Sequence, residues 1–313
     1  MNNQSKIVLI SGPTASGKSS FAIKLAKKIN GEIINADSMQ VYKELKILTA
    51  RPNKKDQKKI KHHLYGIINA DKSFSTGQWL KLTNKKIKEI LNRKKVPVIV
   101  GGTGLYFQSL INGLVSIPRI PVKIRKKVRL IQKKEGQNKF YKRLLRLDKK
   151  IKSKFNKNDS QRSIRAFEIK LHTKISMYDW LLKTKSKFNE NQFIKFYVDL
   201  GRENLLNKID LRISKMLKEG AIKEVKKFNK KKIKNDKSAN KVIGVNEIKK
   251  YLENEITLDQ ARELIAIRTR QYAKRQATWA RSRMFNWKKI DPSHTLNWIK
   301  KINKSSLKLD QLI

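Results

Sequence analysis

The stretch "VLISGPTASGKSSFAIKLA" (8–26) limits what this chain can fold into more than any other. An apolar run breaks into Gly12-Pro-Thr-Ala-Ser-Gly17-Lys18-Ser19, and a helical pattern with Phe21, Leu25 and Ile29 on one face follows. G-x-x-x-x-G-K-[ST] between a strand and a helix is the P-loop pattern otherwise met in ATP- and nucleotide-binding proteins. Glycines let the backbone curl until its N–H groups converge on phosphate oxygens, and the helix N-terminus adds its positive end. Gly12, Thr14, Ala15, Ser16, Gly17, Lys18 and Ser19 are therefore the expected phosphate-binding residues. Lys18 would neutralise the terminal phosphate, and Ser19 would ligand Mg²⁺, the one cofactor expected. P-loop hydrolases also place an Asp at the end of an apolar strand. Here "VPVIVGG" (96–102) runs on into "TGLYF" without an acid, and the available carboxylate is Asp37, after "EIINA". The cradle is complete and the hydrolytic apparatus is not evident, so a bound diphosphate is expected and ATP turnover is not required.

Charge indicates the class of partner. The 313 residues carry 75 Lys+Arg against 25 Asp+Glu, a formal net charge of +50. A genome poor in G and C inflates Lys, Asn and Ile together, as in "KKFNKKKIKNDK" (226–237), which accounts for part of the lysine excess. A field of this sign nonetheless attracts polyanions, RNA and DNA included. The absence of Cys excludes a disulfide framework, a thiolate nucleophile and a Cys-ligated zinc site. No apolar run approaches the length of a membrane span, and the N-terminus lacks the shape of a secretory signal. The expectation is a soluble, cytoplasmic protein with no membrane partner.

Apolar runs at 6–11, 32–38 and 96–102 alternate with helical patterns at 17–29 and about 78–94. Such alternation predicts βαβ units and a parallel, doubly wound sheet, with active groups beyond the carboxyl ends of the strands. That places 12–19, Asp37 with Ser38, and Gly101–Gly104 in one crevice. From about 116 to 190 the sequence is highly charged and helical in pattern, opened by Pro118 and Pro121; an apolar strand, "FIKFYVDL" (193–200), then returns, and 203–287 reads as helical. The predicted fold class is α/β: a P-loop NTPase-like parallel-sheet core (1–115 and 191–313) with a helical insertion domain (116–190) and a helical C-terminal part.

Six stretches in order, "SGPTASGKSS" (11–20), "INADSMQVYK" (34–43), "VIVGGTGLYFQSL" (98–110), "NDSQRSIRAFEI" (158–169), "LRISKMLKEG" (211–220) and "TRQYAKRQATWAR" (269–281), resemble the tRNA dimethylallyltransferases, also called tRNA isopentenyltransferases. The resemblance is collinear over roughly 10–285. It implies transfer of a dimethylallyl group from its diphosphate to N6 of adenosine 37 in tRNAs reading UNN codons. It also implies a P-loop core whose helical insertion grips the anticodon stem. In that chemistry the P-loop stabilises departing diphosphate, while positive charge delocalises over the allyl group. Asp37 is then a sensible general base for the exocyclic amine; read from the residues alone, it is more often a strand-end cap of the next turn. Thr103 resembles the family threonine beside the amine, and Arg212 the arginine that reaches the diphosphate; otherwise they are a tight-turn residue and a surface cation.

By the same resemblance the tRNA-contact segments are Asp37, Ser38, Met39 and Gln40; Gln161, Arg162, Ser163, Ile164 and Arg165; Asn240, Lys241, Val242, Ile243, Gly244 and Val245; and Lys274, Arg275, Gln276, Ala277, Thr278, Trp279, Ala280 and Arg281. Thr103 and Arg125 match single contact positions. At about 100° per residue, Arg270, Lys274 and Arg281 fall within roughly 40° of one another, and Tyr272 and Trp279 share another sector with Arg268 and Arg275. Aromatics beside cations suit a base turned out of its stack. Leu48, Arg51 and Val245 stand where the family usually has Gly, Lys and Tyr, and Lys208 where Arg is common. His62 and His63, adjacent and so projecting oppositely on a strand, are read as structural. No Cys/His finger follows the core, which is the bacterial pattern. Partners expected are tRNA and dimethylallyl diphosphate, with a monomeric chain. Rival readings are a P-loop kinase, a prenyltransferase acting on free AMP or ADP, and an RNA-binding module with a scaffold P-loop.

Overall fold

Alternating apolar residues in the first strand send Ile7 and Leu9 to one face of a sheet and Val8 and Ile10 to the other, and both faces are covered. The computed structural model describes residues 6–115 and 117–292. Six parallel strands, β1 (Ile7–Ser11), β2 (Gly31–Asn35), β3 (His62–His63), β4 (Val96–Gly101), β5 (Phe193–Val198) and β6 (Lys288–Ile290), lie in the order β3-β2-β4-β1-β5-β6. Helix α1 (Lys18–Lys28) lays Phe21, Ala22 and Leu25 on the Val8/Ile10 face. On the other face, α3 (Thr76–Asn92) and α4 (Gly104–Asn112) bring Trp79, Ile87, Ile90 and Phe107 against Ile7, Leu9 and Ile99. Each fully buried Leu, Ile or Phe among these contributes about 1.5–3 kcal/mol. α3 starts where Ser75 and Gln78 form a reciprocal capping box. The short α2 (Lys54–Lys59) begins at the cap Asn53.

The chain divides into two compact units, Met1–Ile111 with Phe188–Ile313, and Asn112–Lys187. The first also contains α8 (Arg202–Lys218), α9 (Ala221–Asn229), α10 (Val245–Leu252) and α11 (Leu258–Arg283), around a core that includes Val41, Leu45, Ile213, Val225, Ile248 and Ile265. The second contains α5 (Val122–Leu147), broken at Gly136 (φ 71°), α6 (Ser160–Thr173) and α7 (Met177–Leu182). Its core includes Val128, Phe140, Leu144, Ile164 and Phe167, with the Phe140 and Phe167 rings stacked at 5.2 Å.

The sequence reading does not contain β6. Lys-Lys-Ile is too short and polar to register as a strand; it forms because β5 has an open edge, and Phe196, Tyr197 and Val198 pair with Lys288, Lys289 and Ile290. His62 and His63 occupy the edge strand β3, where the His63 ring Nε2 lies 2.7 Å from buried Glu32.

Candidate active site

At the carboxyl end of β1 the chain enters the Gly12–Ser19 turn. Ala15 (φ 63°) and Gly17 (φ 88°) are left-handed, the kind of geometry that turns successive N–H groups into one concavity. Lys18 folds back, its Nζ donating to the Pro13 carbonyl at 3.0 Å. Burial lowers the Lys18 pKa to about 8; the Asp37 carboxylate opposes that and Arg212 reinforces it. Thr14 is held twice: its N–H donates to Gln276 Oε1 (2.9 Å), and its Oγ1 accepts from Arg212 Nη1 (2.8 Å). Gln276 in turn donates through Nε2 to the Gly102 carbonyl at 2.9 Å. One side chain from α11 thus ties the phosphate loop to the loop after β4. Ser16 Oγ is buried and has no hydrogen-bond partner among the described residues. An under-stabilised ammonium, an unpaired hydroxyl and a backbone nest in one place suit an anion.

Asp37 follows β2 and is fixed by its neighbours. Asn35 Oδ1 accepts from the Asp37 N–H (2.8 Å), while Asn35 Nδ2 donates to the carbonyls of Asp37 (3.0 Å) and Leu64 (3.1 Å). Trp79 Nε1 donates to the Asn35 carbonyl at 2.7 Å. Asp37 Oδ1 accepts from the Met39 N–H at 2.8 Å. The capping role is real, and it uses Oδ1 of the carboxylate. The charge of Asp37 is felt at Lys18, Arg212 and Tyr272. Thr103 Oγ1 accepts from the Ser38 N–H (2.9 Å) and donates to Ser38 Oγ (3.3 Å). The Thr103 N–H donates to the Ala36 carbonyl (3.1 Å). This approach requires glycine at 101, where a Cβ would fall 2.1 Å from the Ala36 carbonyl carbon and oxygen.

Two cavities meet at these groups. One, of about 310 Å³, has Thr14, Asp37 and Arg212 on its polar side and Leu48, Ile213, Met216, Val242 and Ile265 on its apolar side. The second, of about 320 Å³, is bordered by Gly12, Thr103, Leu105, Tyr197 and Trp279. Ser38, Tyr272 and Arg275 border both. Burial, reinforced by Asp37, holds the Tyr272 phenol well above its ordinary range, and the Arg275 guanidinium lies 5.9 Å from the ring centre. An anion cradle, a carboxylate and an apolar pocket therefore share one boundary.

The model of the IPP transferase family matches residues 40–283. The chain belongs to the IPP transferase family. It is 69% identical over 312 residues, all of both chains, to a tRNA dimethylallyltransferase of Pelagibacter ubique, and 42% identical over 287 residues to one of Rickettsia massiliae, covering 90% of this chain and 79% of the relative. Among solved structures it resembles a eukaryotic dimethylallyltransferase described as acting on tRNA (TM-score 0.83, 28% identity, 98% of this chain and 79% of that one). It also resembles a tRNA isopentenylpyrophosphate transferase of Bacillus halodurans (TM-score 0.68, 30% identity, 98% and 100%). The α/β core with a parallel sheet is the architecture expected for this family.

The segments that match tRNA contacts in the family divide by exposure. Gln161, Arg162, Arg165, Lys241, Lys274, Arg275, Thr278, Arg281 and Arg125 are exposed. Ser163, Ile164, Val242, Val245 and Ala280 have buried side chains, so they shape these surfaces from beneath. Val245, in the place of the usual Tyr, packs into the helical core rather than offering a stacking face. Leu48 lies against the same turn: a Cβ on Gly244 would meet its Cδ2 at 2.6 Å. Gln40 Nε2 donates to the Thr49 carbonyl (2.8 Å), Asn240 Nδ2 to the Lys234 carbonyl (2.8 Å), and Arg270 binds both carboxylate oxygens of Asp210 at 2.9 Å. Met39, Ile243, Gln276, Ala277 and Trp279 are partly buried. Sequence reasoning missed Asn35 and Trp79 and the loop-bridging part of Gln276; each acts through a hydrogen bond between distant segments, which leaves no local pattern.

Proposed function

We propose that this chain transfers a dimethylallyl group from dimethylallyl diphosphate to N6 of adenosine 37 in tRNAs reading UNN codons and releases diphosphate. The observation that carries this reading is the placement of a cation-lined phosphate cradle and a positioned carboxylate on one wall of a partly apolar cavity, with no acid closing β4. The names of the relatives support the same chemistry. The Gly12–Ser19 nest, Lys18 and Arg212 hold the donor's diphosphate. They become more favourable as negative charge gathers on the leaving oxygen, which is where stabilisation accelerates the reaction. Ser19, exposed at the start of α1, would ligand Mg²⁺. Magnesium commonly takes one or two protein ligands and completes its shell with phosphate oxygens and water, so a site with few protein ligands suits it; when bound it supplies further charge neutralisation.

Residues Leu48, Ile213, Met216 and Ile265 give the five-carbon chain an apolar wall. Ser38 borders both cavities and Thr103, hydrogen-bonded to it, borders the second, where the adenine amine would enter. As N6 bonds to the allylic carbon and the C–O bond breaks, the amine nitrogen becomes acidic and Asp37 accepts its proton. Adenosine 37 reaches this point by turning out of the anticodon loop. The exposed cations of α11, with Arg125, Gln161, Arg162 and Arg165 of the insertion, hold the RNA. We place the activity in the cytoplasm, with a monomer as the working unit.

The test incubates the protein with Mg²⁺, labelled dimethylallyl diphosphate and unmodified tRNA carrying A36-A37-A38. Label should enter tRNA and not AMP, with no ATP turnover. Label in AMP, or Lys18-dependent ATP hydrolysis, would replace this reading with one of its rivals.

A further inference from the structure

Residues 125, 129, 165 and 168 form a cluster that lies wholly within the helical unit. Glu168, on α6, has a side chain only 2% exposed, yet it carries a carboxylate. Arg125 and Arg129, one turn apart on α5, approach its Oε1 through their Nε atoms, each at 3.8 Å. Arg165 on α6 approaches Oε2 through Nη1 at 3.4 Å. Oε1 has no hydrogen-bond partner among the described residues. The three arginine side chains are 48%, 55% and 45% exposed.

An ionised carboxylate taken out of water must be compensated by nearby positive charge. Here three guanidinium groups surround one carboxylate, so the cluster keeps an excess of positive charge. Arg125 and Arg129 meet Glu168 through Nε, an ion-pair contact that does not use their paired Nη donors. A planar guanidinium fork matches the two free oxygens of a phosphodiester. A long arginine side chain free in water loses rotamer freedom when it binds; one already drawn down by a buried anion loses less.

We propose that Glu168 is a positioning residue that organises Arg125, Arg129 and Arg165 into one phosphate-gripping cluster, and that Arg129 is a further contact to the tRNA backbone. This rests on the reading that the protein modifies tRNA, and it adds Arg129 and Glu168 to the expected contact set. Cations placed one turn apart on a helix grip the sugar–phosphate backbone without reading sequence.

The experiment measures binding of unmodified tRNA by fluorescence anisotropy across a salt series, and separately KM and kcat for prenylation, in the wild type, Glu168→Gln, Arg129→Ala and Arg129→Lys. Glu168→Gln adds one net positive charge to a strongly basic chain, so a purely electrostatic account expects tighter tRNA binding. Positioning expects the opposite: a five- to twentyfold weaker Kd and a matching rise in KM for tRNA. Turnover at saturating tRNA should change by less than twofold, and KM for dimethylallyl diphosphate should not move. Arg129→Ala should flatten the slope of log K against log [salt] by about one, with Arg129→Lys recovering part of the affinity. Binding should be weakened less by Glu168→Gln when Arg129 is already Ala. Unchanged or tighter tRNA binding by Glu168→Gln with its fold intact overturns the positioning role. Should that variant fail to fold, Arg129→Ala, an exposed change on a helix surface, decides: an unaltered salt slope overturns the cluster. Because binding is read without turnover, failure of prenylation in the wild type would count against the proposed function and leave this test standing.

Discussion

Lys18 gives the sharpest test of the phosphate cradle. Its pKa falls from 10.5 to about 8 because the loop removes it from water, with Asp37 opposing and Arg212 reinforcing the fall. That fall corresponds to about 3 kcal/mol of lost preference for the charged form, or about 2 kcal/mol after allowance for the partial exposure of the side chain. A depressed lysine pKa means that the folded free protein carries the neutral amine above about pH 8, whereas the unfolded chain stays charged up to about 10.5. Diphosphate returns the proton, because its nearby negative charges favour the ammonium. Donor affinity should therefore be level from pH 7 to 7.5 and decline above pH 8, reaching about tenfold weaker at pH 9. The terminal phosphate itself, with a second pKa near 6, is already fully ionised across that range. Calorimetric titration of dimethylallyl diphosphate between pH 7 and 9.5 reads this directly. Lys18→Arg should bind with a flat profile, since guanidinium does not titrate, and Lys18→Met should be weak at every pH. A wild-type affinity level to pH 9.5, or a Lys18→Met profile that still declines above pH 8, would refute the reasoning.

Four further changes probe the rest of the site and its frame. Asp37→Asn retains the Oδ1 acceptor for the Met39 N–H and removes the base, so tRNA binding should persist while single-turnover prenylation slows by about 10²–10⁴-fold; near-normal rates would return Asp37 to a capping role alone. Gln276→Ala leaves the Thr14 N–H and the Gly102 carbonyl without the partner it supplies to both, and about 1–3 kcal/mol of stability should be lost by chemical denaturation together with a raised KM for the donor. Gly101→Ala drives a Cβ into the Ala36 carbonyl, a backbone-on-backbone clash that should cost at least about 3 kcal/mol and appear as a Tm lower by several degrees. For Glu32, burial pushes the carboxyl pKa up, but hydrogen bonds and charge from Arg93 and His63 outweigh it and bring it to about 2. A depressed carboxyl pKa stabilises the fold above the unfolded value of about 4.5 and loses that contribution as pH falls toward 2; Glu32→Gln should flatten the acid limb of the stability curve over that interval.

The extent to which the site was legible in the sequence follows from where each interaction lies along the chain. The P-loop was readable because its function resides in contiguous backbone: glycine spacing and the flanking strand and helix are all local, and the residues from Gly12 to Ser19 fold back on one another. The sheet core was readable for a similar reason, since buried parallel strands are written as continuous apolar runs. The edge strand β6 was not. Lys288–Ile290 is a strand only because β5 offers it an open edge, and a three-residue segment with two lysines carries no periodicity to detect.

Asp37 marks the boundary between what is local and what is not. Its neighbours in sequence explain the capping bond to Met39, which is why a strand-end cap was a fair reading of the residues alone. Its relation to Lys18, Arg212 and Tyr272 spans the whole core. The sheet order, which sets β2, β4 and β1 side by side with their carboxyl ends together, and the packing of α8 and α11 bring Asp37, Arg212 and Tyr272 to one cavity. The same reasoning separates the arginines of the helical unit from the bulk lysine excess. Composition cannot distinguish a solvated cation from one drawn onto a buried carboxylate, whereas the packing of α5 against α6 does so by placing Glu168 beneath Arg125, Arg129 and Arg165. If that difference governs RNA affinity, removing one buried negative charge must weaken binding of a polyanion by a protein of net charge +50, a sign that no argument from total charge can produce.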